Sequence, residues 1–288
     1  MRVAAAPPPS ALRGAAASRA AANVTASVGA VALAEPTRRV AVVIGASSGI
    51  GAALAVRLAA EGWLPVLVAR RRERLEALAA EVGGDVEACD VGDRAAVERA
   101  ATAILERHPA VSLLVNNAGI PGRSDFTTLD PGRIEEVLRV NYLGSVWCLR
   151  AFLPALERGR PSHVVNVVSV AGSVAVPASG PYAASKHAQL AFSRATSASL
   201  RQHGIRVHTV SPGFVETEGF PQRRIRGHRL LRRAVIGPEE VARHIVDRLN
   251  GDSSESFVPG WYRTLALAQA IAPTTTARVA GRFGRAVR

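Results

Sequence analysis

Val40–Ile44 is an unbroken apolar run, the mark of a strand buried on both faces. It leads directly into Gly45-Ala46-Ser47-Ser48-Gly49-Ile50-Gly51, and an apolar helical stretch follows over residues 52–60, closed by Gly62. The alternation then repeats. Residues 64–69, 86–91, 112–115, 163–169 and 205–210 read as further strands, and 256–258 as a short last one. Between them, residues 71–82, 94–108, 133–156 (with a break near Gly144), 182–203 and 238–249 carry helical spacing, the last with Pro238 in its first turn. Strands that alternate with helices build βαβ units and a parallel sheet, and right-handed crossovers cover both of its faces. The expected fold is α/β: a single-domain, doubly wound parallel sheet flanked by helices.

Composition changes this picture at the two ends. Residues 1–37 are rich in Ala, Pro, Ser and Arg, and their first acidic residue is Glu35. A disordered extension, a mis-called start and an Arg-rich targeting peptide all fit, so this segment stays outside the fold. Residues 38–260 form the domain. Residues 261–288 are a basic amphipathic tail in which Trp261, Tyr262, Leu265, Leu267 and Ile271 alternate with arginine. Such a tail suits a membrane surface or, the favoured reading, a partner subunit.

The net charge is +13. Nucleic acid, an anionic surface, acidic ligands or an arginine-biased solvated surface all fit that balance. No helix-turn-helix, zinc or base-stacking pattern accompanies it, so no nucleic-acid partner is expected. Cys89 and Cys148 lie far apart, with neither a disulfide framework nor a metal-binding spacing. They suit a reducing, cytoplasmic compartment. The sequence holds no run of 18 apolar residues.

One composition detail points to chemistry. Of 36 basic side chains, Lys186 is the one lysine and the other 35 are arginine. An ammonium is a compact charge whose pKa can move, whereas a guanidinium stays charged. Lys186 follows Tyr182 by four residues, which on a helix puts both on one face. A cation beside a phenol favours the phenolate and lowers the tyrosine pKa from about 10 toward neutrality. Tyr182 is therefore a candidate general acid/base.

The glycine stretch supplies a second kind of site. Gly45, Gly49 and Gly51 allow a tight turn and close approach of a pyrophosphate, which the following helix N-terminus would hold. Every candidate motif follows a strand, and ligands of such sheets sit at the carboxyl ends of the strands.

Taken together, GASSGIG (45–51), NNAG (116–119), Ser169, Tyr182-x-x-x-Lys186 and Pro212-Gly213 resemble the short-chain dehydrogenase/reductase family over about residues 39–260. The resemblance implies a Rossmann-type oxidoreductase that transfers hydride between a nicotinamide cofactor and a carbonyl or secondary alcohol. It implies catalytic roles for Asn141, Ser169, Tyr182 and Lys186. Ser169 would hold the substrate oxygen, and Lys186 would also bind the ribose hydroxyls. Asn141 would hold a water for proton relay. Cofactor contacts are implied for Gly45, Ser47, Ser48, Gly49, Ile50 and Gly51; for Asp90 and Val91 at the adenine; for Asn117, Ala118 and Gly119; and for Tyr182, Lys186, Pro212, Gly213, Val215 and Thr217. One position departs from the family: Ile44 stands where a structural Thr usually precedes the first glycine.

Charge selects the cofactor. NAD-binding folds of this kind place a carboxylate at the end of the second strand, for the ribose 2′-hydroxyl. Here that end reads Ala69-Arg70-Arg71-Arg72. Arginine pairs a 2′-phosphate, so NADP(H) is expected over NAD(H), with Arg70 as first contact and Arg71 second. The substrate is open. Arg223, Arg224, Arg226, Arg229, Arg232 and Arg233 form either a solvated flap or an attractor for an anionic substrate such as a 3-oxoacyl thioester. The resemblance implies a homodimer or homotetramer. The alternative reading is an NADP-binding sensor or scaffold without chemistry, and the intact Ser169, Tyr182, Lys186 and Asn141 speak against it.

Overall fold

The computed structural model describes residues 38–122, 124–175, 179–222, 225, 234–251, 254–276, 278 and 279. The segment 1–37 and the six arginines named above in 223–233 lie outside the described residues. Strands β1 (Val40–Ile44), β2 (Leu64–Ala69), β3 (Asp85–Ala88), β4 (Leu113–Asn116), β5 (Ser162–Val167) and β6 (Ile205–Pro212) follow in chain order. The very short β7 (Phe214–Val215) and β8 (Val235–Ile236) come next, then β9 (Glu255–Val258). The helices are α1 (Gly49–Ala60), α2 (Arg72–Val82), α3 (Arg94–Arg107), α4 (Pro131–Leu138), α5 (Gly144–Arg158), α6 (Gly180–Leu200), α7 (Pro238–Leu249) and α8 (Tyr262–Ile271).

The main sheet has seven strands in the order β3-β2-β1-β4-β5-β6-β9, with every neighbouring pair parallel. Its twofold covering follows from the side-chain alternation of a strand. Ala41 and Val43 pack with Leu54 and Leu58 of α1 and with Val241 and Ile245 of α7. Val42 and Ile44 pack with Val97 and Ile104 of α3 and with Leu149 and Phe152 of α5. Burying each of these Val, Leu, Ile and Phe side chains contributes about 1.5–3 kcal/mol, which is why β1 has no polar residue to spare. The chain order runs outward from β1 on one side and from β4 on the other. A crevice therefore opens at the carboxyl ends of these two strands.

Three details differ from the sequence reading, and each one bears on the site. Helix α1 begins at Gly49 and not at residue 52, so the last glycines of the turn already form its first turn. Strand β3 stops at Ala88, which leaves Asp90 and Val91 in the following turn. The helix expected over 133–156 does not break at Gly144. It passes from α4 through a π-helical turn, Arg139–Leu143, into α5. Such turns are frequent at functional sites, and this one carries Asn141. The β7–β8 pair, a parallel ladder outside the main sheet, was too short to leave a periodic signal.

Candidate active site

The first wall of the crevice is the glycine turn after β1. Gly45 and Gly49 hold φ angles of +82° and +58°, a region costly for residues with a β-carbon. A β-carbon on Gly51 would lie 2.2 Å from the Gly45 carbonyl oxygen. One on Gly45 would lie 2.8 Å from the backbone of Ala118. The turn is thus packed backbone to backbone against the end of β4. Asn117 Nδ2 fastens it by donating to the Gly45 carbonyl at 3.1 Å. Ile44, the departure from the family pattern, turns into the apolar core and is 3% exposed. The Asn117 bond therefore fastens the turn with an apolar residue at 44.

The N-terminus of α1 has no side-chain cap at Ser48. Thr217, beyond β7, closes over it: a β-carbon on Gly49 would come within 2.9 Å of Thr217 Cγ2. Pro212 ends β6, and the Gly213 amide donates to the Val258 carbonyl at 2.9 Å. Val215 is buried in the apolar core. Ile50 also packs on that core, and Val91 is buried against the opposite one.

At the outer end of the turn stands Arg71. Its Nη2 donates to Ser47 Oγ at 2.9 Å and to Ser48 Oγ at 2.8 Å. Its Nη1 donates to Glu218 Oε1 at 3.0 Å, and Arg74 Nη1 donates to the other oxygen of the same carboxylate. Arg70 lies 3.9 Å from Asp90 Oδ2 with its side chain 59% exposed. Asp90 Oδ1 accepts from the Gly92 amide. Of the two arginines expected at a 2′-phosphate, Arg71 is the one that touches the glycine turn, and Arg70 lies beside Asp90.

The inner end is built on α6. Tyr182, in its first turn, is half-buried, with Lys186 Nζ 5.9 Å from its ring centroid. Lys186 is 3% exposed. Its Nζ donates to the Val167 carbonyl at 3.0 Å and to Gln189 Oε1 at 2.8 Å. Burial pushes the Lys186 pKa down to about 7. Gln189 Nε2 in turn donates to Ser145 Oγ at 2.9 Å. Asn141 is fully buried. Its Nδ2 donates to the Ile120 carbonyl at 3.1 Å and to Ser185 Oγ at 3.0 Å, while Oδ1 accepts from the Ile120 amide at 2.8 Å. Ser185 Oγ donates to the Tyr182 carbonyl at 2.7 Å. A β-carbon on Gly119 would sit 3.5 Å from Asn141 Oδ1 and 3.8 Å from Lys186 Nζ, so these three residues converge. Ser169 follows β5, and its Oγ accepts from the Ala171 amide at 3.1 Å.

The structure brings Gly45, Gly49, Gly51, Asn117, Ala118 and Thr217 together at the glycine turn, and Gly119, Asn141, Tyr182 and Lys186 together at α6. It adds others that the sequence reading passed over: Arg74, Ser145, Ser185, Gln189, Glu218 and Phe220. For Gln189 a signal was present. Residues 182, 186, 189 and 193 are all polar and fall on one face of α6 at helical spacing, and Lys186, Gln189 and Ser193 are buried. Glu218 and Phe220 sit in a turn that no periodicity marks. Phe220 lies with its ring 5.5 Å from that of Tyr182.

A family model described as short chain dehydrogenase matches residues 39–226. The chain belongs to the short-chain dehydrogenase family. A bovine member, "Dehydrogenase/reductase SDR family member 7B", is 36% identical over 189 residues, which are 62% of this chain and 58% of the bovine one. The match thus spans less than two thirds of that relative's length. "Farnesol dehydrogenase" of Aedes aegypti is 39% identical over 206 residues, 67% of this chain and 84% of the insect one. Among solved structures, an alcohol dehydrogenase from the archaeon Thermococcus sibiricus complexed with 5-hydroxy-NADP aligns with a TM-score of 0.69 at 29% identity. That alignment covers 76% of this chain and 95% of the archaeal one. Solved members of the family hold NADP in some cases and NAD in others. The crevice of this short-chain dehydrogenase fits a dinucleotide. Its turn leaves no room for β-carbons, an uncapped helix N-terminus opens on it, and β2 ends without a carboxylate. Among the described residues no group of His, Cys, Asp or Glu is arranged to hold a metal ion.

Proposed function

We propose that this chain is an NADP(H)-dependent oxidoreductase that interconverts a carbonyl and a secondary alcohol. The observation that carries the reading is the buried Lys186 ammonium beside the Tyr182 ring, facing Gly119 and Asn141 at the inner end of the crevice. The nicotinamide, when bound, supplies or accepts the hydride. Ser169 Oγ donates a hydrogen bond to the substrate oxygen and fixes it. Tyr182 gives that oxygen a proton in reduction and removes one in oxidation. Lys186 keeps the tyrosine pKa low through its charge. Asn141 fixes Ser185 and the Ile120 backbone, so the π turn and the first turn of α6 hold one position.

Arg71 and Arg74 support the phosphorylated cofactor, because a 2′-phosphate finds two guanidinium groups there and no acid at the end of β2. Gly45, Ser47, Ser48, Gly49 and Gly51 would hold the pyrophosphate. The substrate end is apolar: Phe220 stands by Tyr182, and Phe126, 54% exposed, lies against Gly180. An apolar ketone or aldehyde fits these walls, and the names of two relatives, farnesol dehydrogenase and putative ketoacyl reductase, support that choice. The acyl portion of a 3-oxoacyl thioester is the second substrate on the same ground. Tyr182→Phe tests the mechanism in an NADPH-oxidation screen over ketones, aldehydes, quinones and 3-oxoacyl thioesters. Turnover should fall by about 10²–10⁴-fold with NADPH binding retained. Turnover near the wild-type rate would remove Tyr182 from the reaction.

A cytoplasmic place is proposed on Cys89 and Cys148, which are both buried and unpaired. Self-association into a homodimer or homotetramer is carried over from the family. Helix α8 favours a lipid contact as well. Among the described residues it turns Leu265, Leu267 and Ile271 outward beside the exposed Trp261. Residues 261–288 contain Arg263, Arg278, Arg282, Arg285 and Arg288 and no acid. A second copy would set these like charges together, whereas anionic lipid would neutralise them. Co-sedimentation with vesicles containing phosphatidylserine, and none with phosphatidylcholine alone, is the expected result.

A further inference from the structure

The Glu218 carboxylate holds both arginines at the outer end of the crevice. Oε1 takes Arg71 Nη1 at 3.0 Å, and Oε2 takes Arg74 Nη1. The two arginines hold its carboxyl below the usual carboxylate range, so it is an anion wherever the protein is folded near neutral pH. Arg71 in turn binds Ser47 and Ser48 of the glycine turn. Hence one carboxylate, two guanidinium groups and two hydroxyls form a single cluster between α2, the start of α1 and the turn after β7. Geometrically this cluster is a finished anion site: two oxygens on one carbon accept from two forks. The phosphate of a phosphorylated ribose presents the same feature, two or more anionic oxygens on one centre.

Glu218 is also tethered. It follows Thr217, which packs on Gly49, and precedes Phe220, whose amide donates to the Thr217 carbonyl at 3.1 Å and whose ring stands by Tyr182. The short turn 217–220 therefore touches the phosphate-binding helix, the arginine pair and the catalytic tyrosine in that order. A carboxylate so tethered meets the arginines at a high effective concentration, whereas a free ligand must bind from solution.

We propose that Glu218 is a specificity-determining residue, an anionic competitor within the chain for the arginine pair that receives the 2′-phosphate. This rests on the NADP(H) reading above. Ligand binding at the adenosine end must exchange the Glu218–Arg71 and Glu218–Arg74 pairs for phosphate–Arg pairs. The carboxylate side chain is 54% exposed, so water solvates it once displaced and the exchange is reversible. The charge on Glu218 lowers the advantage that two arginines alone would give a 2′-phosphate, and narrows the gap between the two dinucleotides.

The test is Glu218→Gln with binding read directly, without turnover. Isothermal titration at low and at physiological salt compares 2′,5′-ADP, 5′-ADP, NADPH and NADH on wild type and variant. The side chain is at the surface, so a folded variant is expected, and an unchanged thermal midpoint checks it. The expected result is a tightening of 2′,5′-ADP and NADPH by about three- to tenfold, which is about 0.7–1.4 kcal/mol. That gain should be smaller at higher salt, with 5′-ADP and NADH unchanged. Weaker binding of 2′,5′-ADP in the variant would mean that Glu218 prepares the arginines for the phosphate, and would overturn the proposal. Weaker binding of NADH alone would make Glu218 a partner of the ribose hydroxyl, with the same consequence. No change in any ligand also overturns it. Failure of the NADP(H) reading itself looks different: wild type would then prefer neither 2′,5′-ADP over 5′-ADP nor NADPH over NADH.

Discussion

The two ends of the crevice use cations in opposite settings. At the outer end Arg71 is 41% exposed by side chain, and its charge is screened by water and met by Glu218. At the inner end Lys186 is 3% exposed, and it donates to two neutral acceptors, the Val167 carbonyl and Gln189. An exposed guanidinium gains little from Coulomb energy, and its value lies in a planar fork that recognises bidentate anions. A buried ammonium costs desolvation but acts through low dielectric on whatever stands beside it. On the proposed function the two settings divide the work: Arg71 recognises an anion from water, and Lys186 moves a pKa.

Breaking the inner end should have the largest effect. Lys186→Met keeps the length of the side chain and removes its charge. On the proposed mechanism turnover should fall by about 10²–10⁴-fold, since Tyr182 would lose the cation that tunes it. The same variant tests the burial. In the unfolded chain a lysine titrates near 10.5, whereas in the folded protein Lys186 titrates at about 7. Between these values the unfolded state binds more protons, so stability rises with pH across that window. The cost is complete below about 7 and absent above about 10.5. Measured as unfolding midpoints of the apoprotein, wild type should gain on Lys186→Met as pH rises from 7 to 10. A constant difference would mean that the ammonium is not desolvated.

Gln189→Leu sharpens the comparison one step further out. The substitution conserves volume, and it removes the acceptor 2.8 Å from Nζ together with the bond to Ser145. A hydrogen bond to a charged group contributes about 1.5–3 kcal/mol, so the Lys186 pKa should drop by a further one to two units. The alkaline limb of kcat/KM should move to lower pH by a comparable amount, and Gln189→Glu should move it the opposite way. A uniform loss of activity with an unmoved pH profile would leave Gln189 a packing residue only.

The same contrast explains what could be read from the chain beforehand. The parallel sheet was legible because β1, β2 and β4 bury both faces, and an apolar run has few other uses. The inner site was legible because one lysine among 36 basic residues is a signal against a quiet background. The outer site was not. Arg70, Arg71 and Arg72 are equivalent in sequence, and their separation depends on the path of the chain as β2 ends and α2 begins at Arg72. Glu218 meets Arg71 across 147 positions of sequence, in a turn with no repeating pattern. Asn141 stood within an expected helix, but the π turn that aims it leaves the apolar spacing almost undisturbed.

At the outer end the expected effects are smaller. Arg71→Ala should weaken NADPH and 2′,5′-ADP by about tenfold, roughly the 1.4 kcal/mol expected of a charge-assisted pair discounted for exposure. NADH should bind as before. Equal weakening of both dinucleotides would mean that Arg71 supports the glycine turn through Ser47 and Ser48 instead of meeting a phosphate.

Arg70→Gln is the smallest change and separates two neighbours. Arg70 is 59% exposed and 3.9 Å from Asp90, whereas Arg71 engages Ser47. An exposed pair at that distance contributes about 0–1 kcal/mol, and salt screens most of it. NADPH binding should therefore change by less than about twofold, and the thermal midpoint should hold. The informative quantity is the ratio of the two effects. Arg71→Ala exceeding Arg70→Gln by about fivefold or more, at the same salt, fits an arginine chosen by its contact with the glycine turn. The reverse ratio would return Arg70 to first place and make proximity to the end of β2, not contact with Ser47 and Ser48, the feature that selects the phosphate ligand.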